Sequence, residues 1–351
     1  MTDRRQFIGG LAAIAAGGPR LVAAEPFAAP FMWAALVHLG RNMWSDCPAG
    51  REKDNPATCF GHTRMDFDET LWREATERMA AGGVNTLVLD LGEGVVYPSH
   101  PELAVKGSWT PDKLKGEIAR LSKAGIEVVP KLNFSTCHDT WLGEYSRMVS
   151  TRKYYRVCAE VIGDVFDIFG APRLFHLGYD EETDAMQTNS LFSCVRRGEL
   201  WWHDFLFFVK GVEKRGARAW IWSDYMWDHE DEFLKRMPKS VLQSNWYYGR
   251  RWEGEPPERP YEEKRLAAFE KLDKAGFDQV PTGTNWVPPY FPKGEKNDEN
   301  FAGLVKHCRA HVSPERLKGF MNASWASALN AGTRARVFGA IDQIAAEAKK
   351  W

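Results

Sequence analysis

The chain has 351 residues, room for one large α/β barrel or two ordinary domains. Its hydrophobic content of 44% and charged content of 26% are ordinary for a globular protein. A net charge of −1 leaves no electrostatic footprint for nucleic acid or for an anionic membrane. The 15 Trp stand out; core packing accounts for some, and a surplus near loops suits a ligand with flat apolar faces, such as a sugar.

Residues 1–24 read as a targeting segment. Arg4-Arg5 followed by Phe7 and Ile8 is a twin-arginine pattern, and "LVAA" places cleavage after Ala24. The apolar run is too short to span a bilayer, so an exported protein free of the membrane after cleavage is expected; an uncleaved N-terminal anchor is the alternative. Beyond it, eight strand-like runs follow in order: 31–39, 84–91, 125–134, 174–179, 217–223, 240–246, 279–285 and 317–325. Most are continuously apolar, as parallel strands buried on both faces are. Amphipathic stretches at 66–81, 110–124, 151–169, 198–215, 229–236, 261–275, 298–311 and 330–349 predict the helices after them. The second carries Thr110 as cap, Pro111 in the first turn and Gly125 at its end. Eight βα repeats predict a (β/α)8 TIM barrel, an α/β single domain over 25–351. Segments 42–65 and 183–197 are long loops on the face that carries function in such barrels.

Of six Cys, Cys47 and Cys59 bracket a polar loop and are the expected disulfide. Cys158 and Cys308 fall in predicted helices as buried thiols. No CxxC spacing is present, and neither a metal nor a cofactor is expected.

Barrel chemistry sits at the C-terminal strand ends. There the sequence offers Arg41, Glu93, His138, Asp180, Glu181, Trp222, Asp224, Trp246, Trp286 and Trp325. Scattered acids ringed by Trp suit glycoside chemistry, with carboxyls for proton transfer and aromatic faces for the sugar. In "LFHLGYDEE" (174–182) an apolar run ends in three acids. Strand neighbours point to opposite faces, so Asp180 and Glu181 can share a ligand only if the chain has left the strand. The competing reading is that these acids cap the next helix.

"FHLGYDEE" resembles the His-x-Gly-Gly-Asp-Glu signature of glycoside hydrolase family 20, the β-N-acetylhexosaminidases. The resemblance extends along the barrel through "ALVHLGRNMW", "VNTLVLDLGEG", "GIEVVPKLNF", "AWIWSD", "LQSNW" and "GFMNASW". It implies substrate-assisted, retaining cleavage of N-acetylhexosamine-containing glycans. On that pattern Glu181 is general acid then base, and Asp180 accepts the acetamido N–H. Trp222, Trp246 and Trp325 wall the acetamido pocket, and Arg41 holds sugar hydroxyls. His138 orients Glu181 and is itself held by Glu93. The departures are specific. Asp90 stands for the family's strand-two His, Lys131 for its strand-three Glu, and Tyr179 for the second Gly of the signature. The strand-seven Tyr-Leu-Asp is missing, with Trp286 or Tyr290 as replacements. Two other readings stay open: a non-catalytic sugar-binding barrel, and a metal-dependent hydrolase using His38, His176 and Asp90.

Overall fold

The computed structural model describes residues 30–47, 60–188, 190–252 and 262–351. The targeting segment and Cys59 therefore lie outside the described residues. Cys47 is buried as a free thiol, and the expected Cys47–Cys59 pairing falls on a residue outside the described ones.

Eight parallel strands alternate with eight main helices. The strands are β1 (Met32–His38), β2 (Thr86–Asp90), β3 (Glu127–Lys131), β4 (Leu174–His176), β5 (Arg218–Trp222), β6 (Leu242–Ser244), β7 (Thr282–Thr284) and β8 (Gly319–Ala323). Each lies within a predicted run. The helices are α1 (Glu69–Gly82), α2 (Pro111–Lys123), α3 (Arg152–Phe169), α4 (Glu199–Glu213), α5 (Glu230–Arg236), α6 (Glu262–Lys274), α7 (Asn300–His311) and α8 (Arg334–Ala348). Paired strands run in the order β6-β5-β4-β3-β2-β1-β8-β7. Backbone bonds close the ring between β6 and β7: Gln243 N–H donates to the Asp278 carbonyl at 3.0 Å, and Val280 N–H to that of Gln243 at 2.8 Å. A closed ring with a helix after each strand is the (β/α)8 barrel.

Local chemistry explains the element ends. The Thr110 hydroxyl accepts the Lys113 N–H at 3.2 Å and starts α2 behind Pro111. Gly125, at φ 79°, reverses the chain before β3. The barrel interior is filled by side chains, among them Leu36, Val88, Val129, Leu174, Trp220, Leu242 and Met321. Among the described residues no helix is long and apolar enough to cross a membrane.

Candidate active site

The predicted fourth strand stops early. Its ladder continues through Leu177, whose N–H donates to the Trp220 carbonyl at 2.8 Å, and the Gly178 carbonyl accepts from Trp222 at 3.0 Å. The backbone then turns left-handed at Gly178 (φ 69°), Tyr179 (φ 76°) and Glu181 (φ 58°). Glycine is required at 178 for space as well: a Cβ there would lie 2.2 Å from Asn133 Oδ1. Non-glycine residues pay roughly 1–2 kcal/mol each for this backbone, so tertiary contacts must hold it. The Tyr179 N–H donates to Asn133 Oδ1 at 3.1 Å. The Tyr179 ring packs edge-on against Trp201 and Phe205 of α4, both at 5.2 Å.

This kink bears on the competing reading of the three acids. No helix begins at 180–182, since α4 starts at Glu199, so the helix-cap reading is excluded. Asp180 is buried and accepts Asn133 Nδ2–H at 2.7 Å. Glu181 is 29% exposed, and its N–H donates to Asp224 Oδ2 at 2.8 Å. Glu182 turns into a buried ion pair with Arg196 at 2.6 Å, and Arg196 also reaches Asp204 at 3.1 Å. That pair fastens the β4–α4 loop; Glu181 lines the cavity over the barrel mouth, and Asp180 is buried beside it against Asn133 and His138.

His138 joins them. Its Nδ1 lies 3.1 Å from the Met43 carbonyl, which can only accept, so Nδ1 carries a hydrogen. Nε2 then faces Glu181 Oε2 at 3.3 Å and Asp180 Oδ2 at 3.5 Å. Burial works against a charged ring, but the negative charge of Asp180 and Glu181 outweighs it and raises the His138 pKa to about 9. Burial, with the Asp180 charge beside it, pushes the Asp224 carboxyl up to about 7.

Glu181 and Asp224 line a cavity of about 880 Å³ over the ends of β4 to β7. Trp246 forms one wall, stacked on Tyr248 at 4.6 Å and meeting Trp227 edge-on at 4.5 Å. Trp286 and Tyr290 form another part of the lining. The guanidinium of Arg265 sits 4.2 Å from the Trp227 ring and 4.3 Å from that of Trp246. Trp325 (φ 48°) sits 6.0 Å from the Tyr248 ring and 5.7 Å from Trp222, which is buried in the barrel interior.

One expected contact is corrected. Glu93 does not hold His138. Its carboxylate is buried and accepts the N–H groups of Arg41 at 2.7 Å and Asn42 at 3.1 Å, fixing the turn after β1. Arg41 pairs with Asp66 at 3.1 Å and lines a separate cavity of about 470 Å³.

The ligands of the metal-hydrolase reading are otherwise engaged. Asp90 is bonded to both Lys131 and His38, the latter at 3.1 Å, so an ammonium already stands where a metal would. Burial pushes the Asp90 carboxyl up, but Lys131 and His38 outweigh it and hold it well below its usual range. His176 accepts the Gly178 N–H at 3.0 Å, and burial holds it far below its usual pKa.

Sequence reasoning missed Tyr248 and Trp227. Tyr248 had a signal: it lies two residues from Trp246, the spacing that puts side chains on one face of an extended chain. Trp227 had none, because it belongs to a short 3-10 turn, Asp224–Trp227, after β5.

No protein-family model matches this sequence, and no curated protein does. Solved structures do. The β-N-acetylhexosaminidase from Bacteroides fragilis superposes with a TM-score of 0.60 at 14% identity, covering 89% of this chain and 65% of that one. The fold is the one that family 20 barrels have. The family 20 enzyme from Streptomyces coelicolor gives 0.56 at 13% identity over 89% and 64% of the two chains, and Dispersin B gives 0.51 at 14% over 80% and 95%. This chain thus spans slightly less than two-thirds of the first two structures.

Proposed function

We propose that this chain is a glycoside hydrolase of the β-N-acetylhexosaminidase kind, acting on N-acetylhexosamine-containing glycans by substrate assistance. One observation carries the reading. A left-handed kink after β4 sets Glu181 on the lining of an aromatic-walled cavity in a barrel with this fold, with the buried Asp180 next to it and both carboxyls against His138.

In this reading Glu181, the more exposed of the pair, protonates the leaving oxygen and later draws the proton from water. The carbonyl oxygen of the 2-acetamido group attacks the anomeric carbon. Asp180, held by Asn133 on one oxygen, accepts the acetamido N–H on the other and stabilises the positive charge that develops. Asp224 holds the Glu181 backbone in its left-handed turn. Trp246, Tyr248, Trp286 and Tyr290 supply faces for sugar rings.

The departures at Asp90, Lys131, Tyr179 and the missing strand-seven Tyr-Leu-Asp motivate a second reading, a barrel that binds sugar without cleaving it. Aryl β-glycosides with and without the 2-acetamido group, assayed in chelator, separate the two. The proposal expects cleavage of the acetamido substrate only; equal cleavage of both removes substrate assistance, and cleavage of neither favours the binding barrel. Export is part of the proposal. Replacing Arg4-Arg5 with Lys-Lys is expected to leave precursor in the cytoplasm, and unchanged export removes the claim.

A further inference from the structure

The acid pair carries a charge pattern that catalysis alone does not require. Asp180, Glu181 and Asp224 lie together, and no Lys or Arg among the described residues pairs with any of them. Among the described residues their positive partner is the His138 ring. The contrast with Asp90 is direct, since Lys131 neutralises that buried acid.

The ligand atoms are also arranged as a small cation needs. One ligand atom from each of His138, Asp180 and Glu181 lies within 4.8 Å of the other two. Nε2 is 3.3 Å from Oε2 and 3.5 Å from Oδ2. Four-coordinate zinc with bonds of about 2.0–2.2 Å sets its ligands about 3.3–3.5 Å apart, the edge of a tetrahedron being roughly 1.6 bond lengths. The two separations from Nε2 match that edge, and the two carboxylates lie within 4.8 Å of each other. The groups behind the ligands are in place as well. The Met43 carbonyl takes the Nδ1 hydrogen, so Nε2 faces the two carboxylates and becomes a ligand when the ion displaces its proton, and Asn133 Nδ2 holds the second oxygen of Asp180. Asn133 is itself fully buried and fixed by the N–H groups of Ser135 and Tyr179. Glu181 opens on the cavity, which gives an ion a way in.

We infer that His138, Asp180 and Glu181 form a three-ligand site for a zinc-like divalent cation at the cavity floor. One imidazole and two carboxylates suit zinc better than magnesium or calcium, which favour more oxygens at octahedral or larger shells. The site's consequence rests on the glycosidase reading: a bound ion occupies the oxygens that Glu181 and Asp180 need, so zinc silences the enzyme reversibly.

The test is equilibrium dialysis of chelator-stripped protein against zinc chloride, with metal counted per chain. One ion per chain is expected. Asp180→Asn and His138→Gln should weaken binding by at least about 100-fold, since even outer-shell changes cost 10–100-fold. Cys137→Ser should bind as the wild type does, because the nearby thiol is not a ligand. If His138→Gln fails to fold, Asp180→Asn, which changes one oxygen to nitrogen, decides alone. No stoichiometric zinc, or equal binding by Asp180→Asn, overturns the site. Dialysis needs no substrate, so the two claims fail separately: protein that binds zinc through Asp180 but cleaves no glycoside keeps the site and loses the glycosidase reading.

Discussion

Replacing Gly178 with alanine tests whether the kink after β4 is what builds the site. The new methyl meets two problems. At φ 69° an L-residue costs about 1–2 kcal/mol. Its Cβ would also stand 2.2 Å from Asn133 Oδ1, 2.3 Å from Cγ and 2.8 Å from Cα. Shifting packed atoms that far costs roughly 1–3 kcal/mol more. Together they give about 2–5 kcal/mol of lost stability, read from the denaturation midpoint in urea. Adding Asn133→Ala removes the two nearest clashes but leaves the overlap with the Asn133 main chain and the backbone cost, so the double variant is expected to recover only part of the loss. Because Asn133 also holds Asp180, turnover by any surviving Gly178→Ala protein should fall as well. A loss under about 1 kcal/mol with unchanged turnover would refute the account of the kink.

Two further outcomes follow from the packing. Trp286→Ala removes a partly exposed aromatic face from the cavity, so KM should rise about 2–10-fold with the fold intact, the value of roughly 0.5–1.5 kcal/mol for an aromatic contact; Trp246→Ala, at a buried position, should instead cost about 3–5 kcal/mol of stability, checked by thermal unfolding. Glu117 accepts hydrogen bonds from Arg120 and Trp72, and Arg73 lies 2.8 Å away; burial pushes its pKa up, but these partners outweigh it and bring it below the usual value. Its stabilisation is therefore present above the ordinary Glu range and lost as pH falls through the lowered pKa, so Glu117→Gln should be less stable than wild type at about pH 7, with the gap closing in acid. A gap that stays constant with pH contradicts this.

The barrel was legible because its signals are local and repeated. Continuous apolar runs such as 84–91 mark strands buried on both faces, and caps such as Thr110 mark helix starts. The kink was not legible. Extended backbone was expected through Tyr179, and only the packing of its ring against α4, together with Asn133 on β3's C-terminal side, shows why it leaves the strand. The role of Glu182 was hidden for the same reason: its partner Arg196 lies fourteen residues on, in a loop with no periodic pattern. The aromatic wall was half legible. Trp246 was found, while Tyr248 two residues later was passed over. Arg41 was found by type, but its pairing with Asp66 depends on how the β1–α1 loop folds back.

The central claim is that Glu181 is the proton donor of a glycosidase, and leaving-group dependence of Glu181→Gln tests it most directly. Loss of a general acid lowers rate by about 10²–10⁴ when the leaving group needs a proton. The account predicts a loss of that size for a sugar leaving group and a much smaller one for dinitrophenol, which departs as a stable anion. An equal loss for both leaving groups, or none for either, would contradict it.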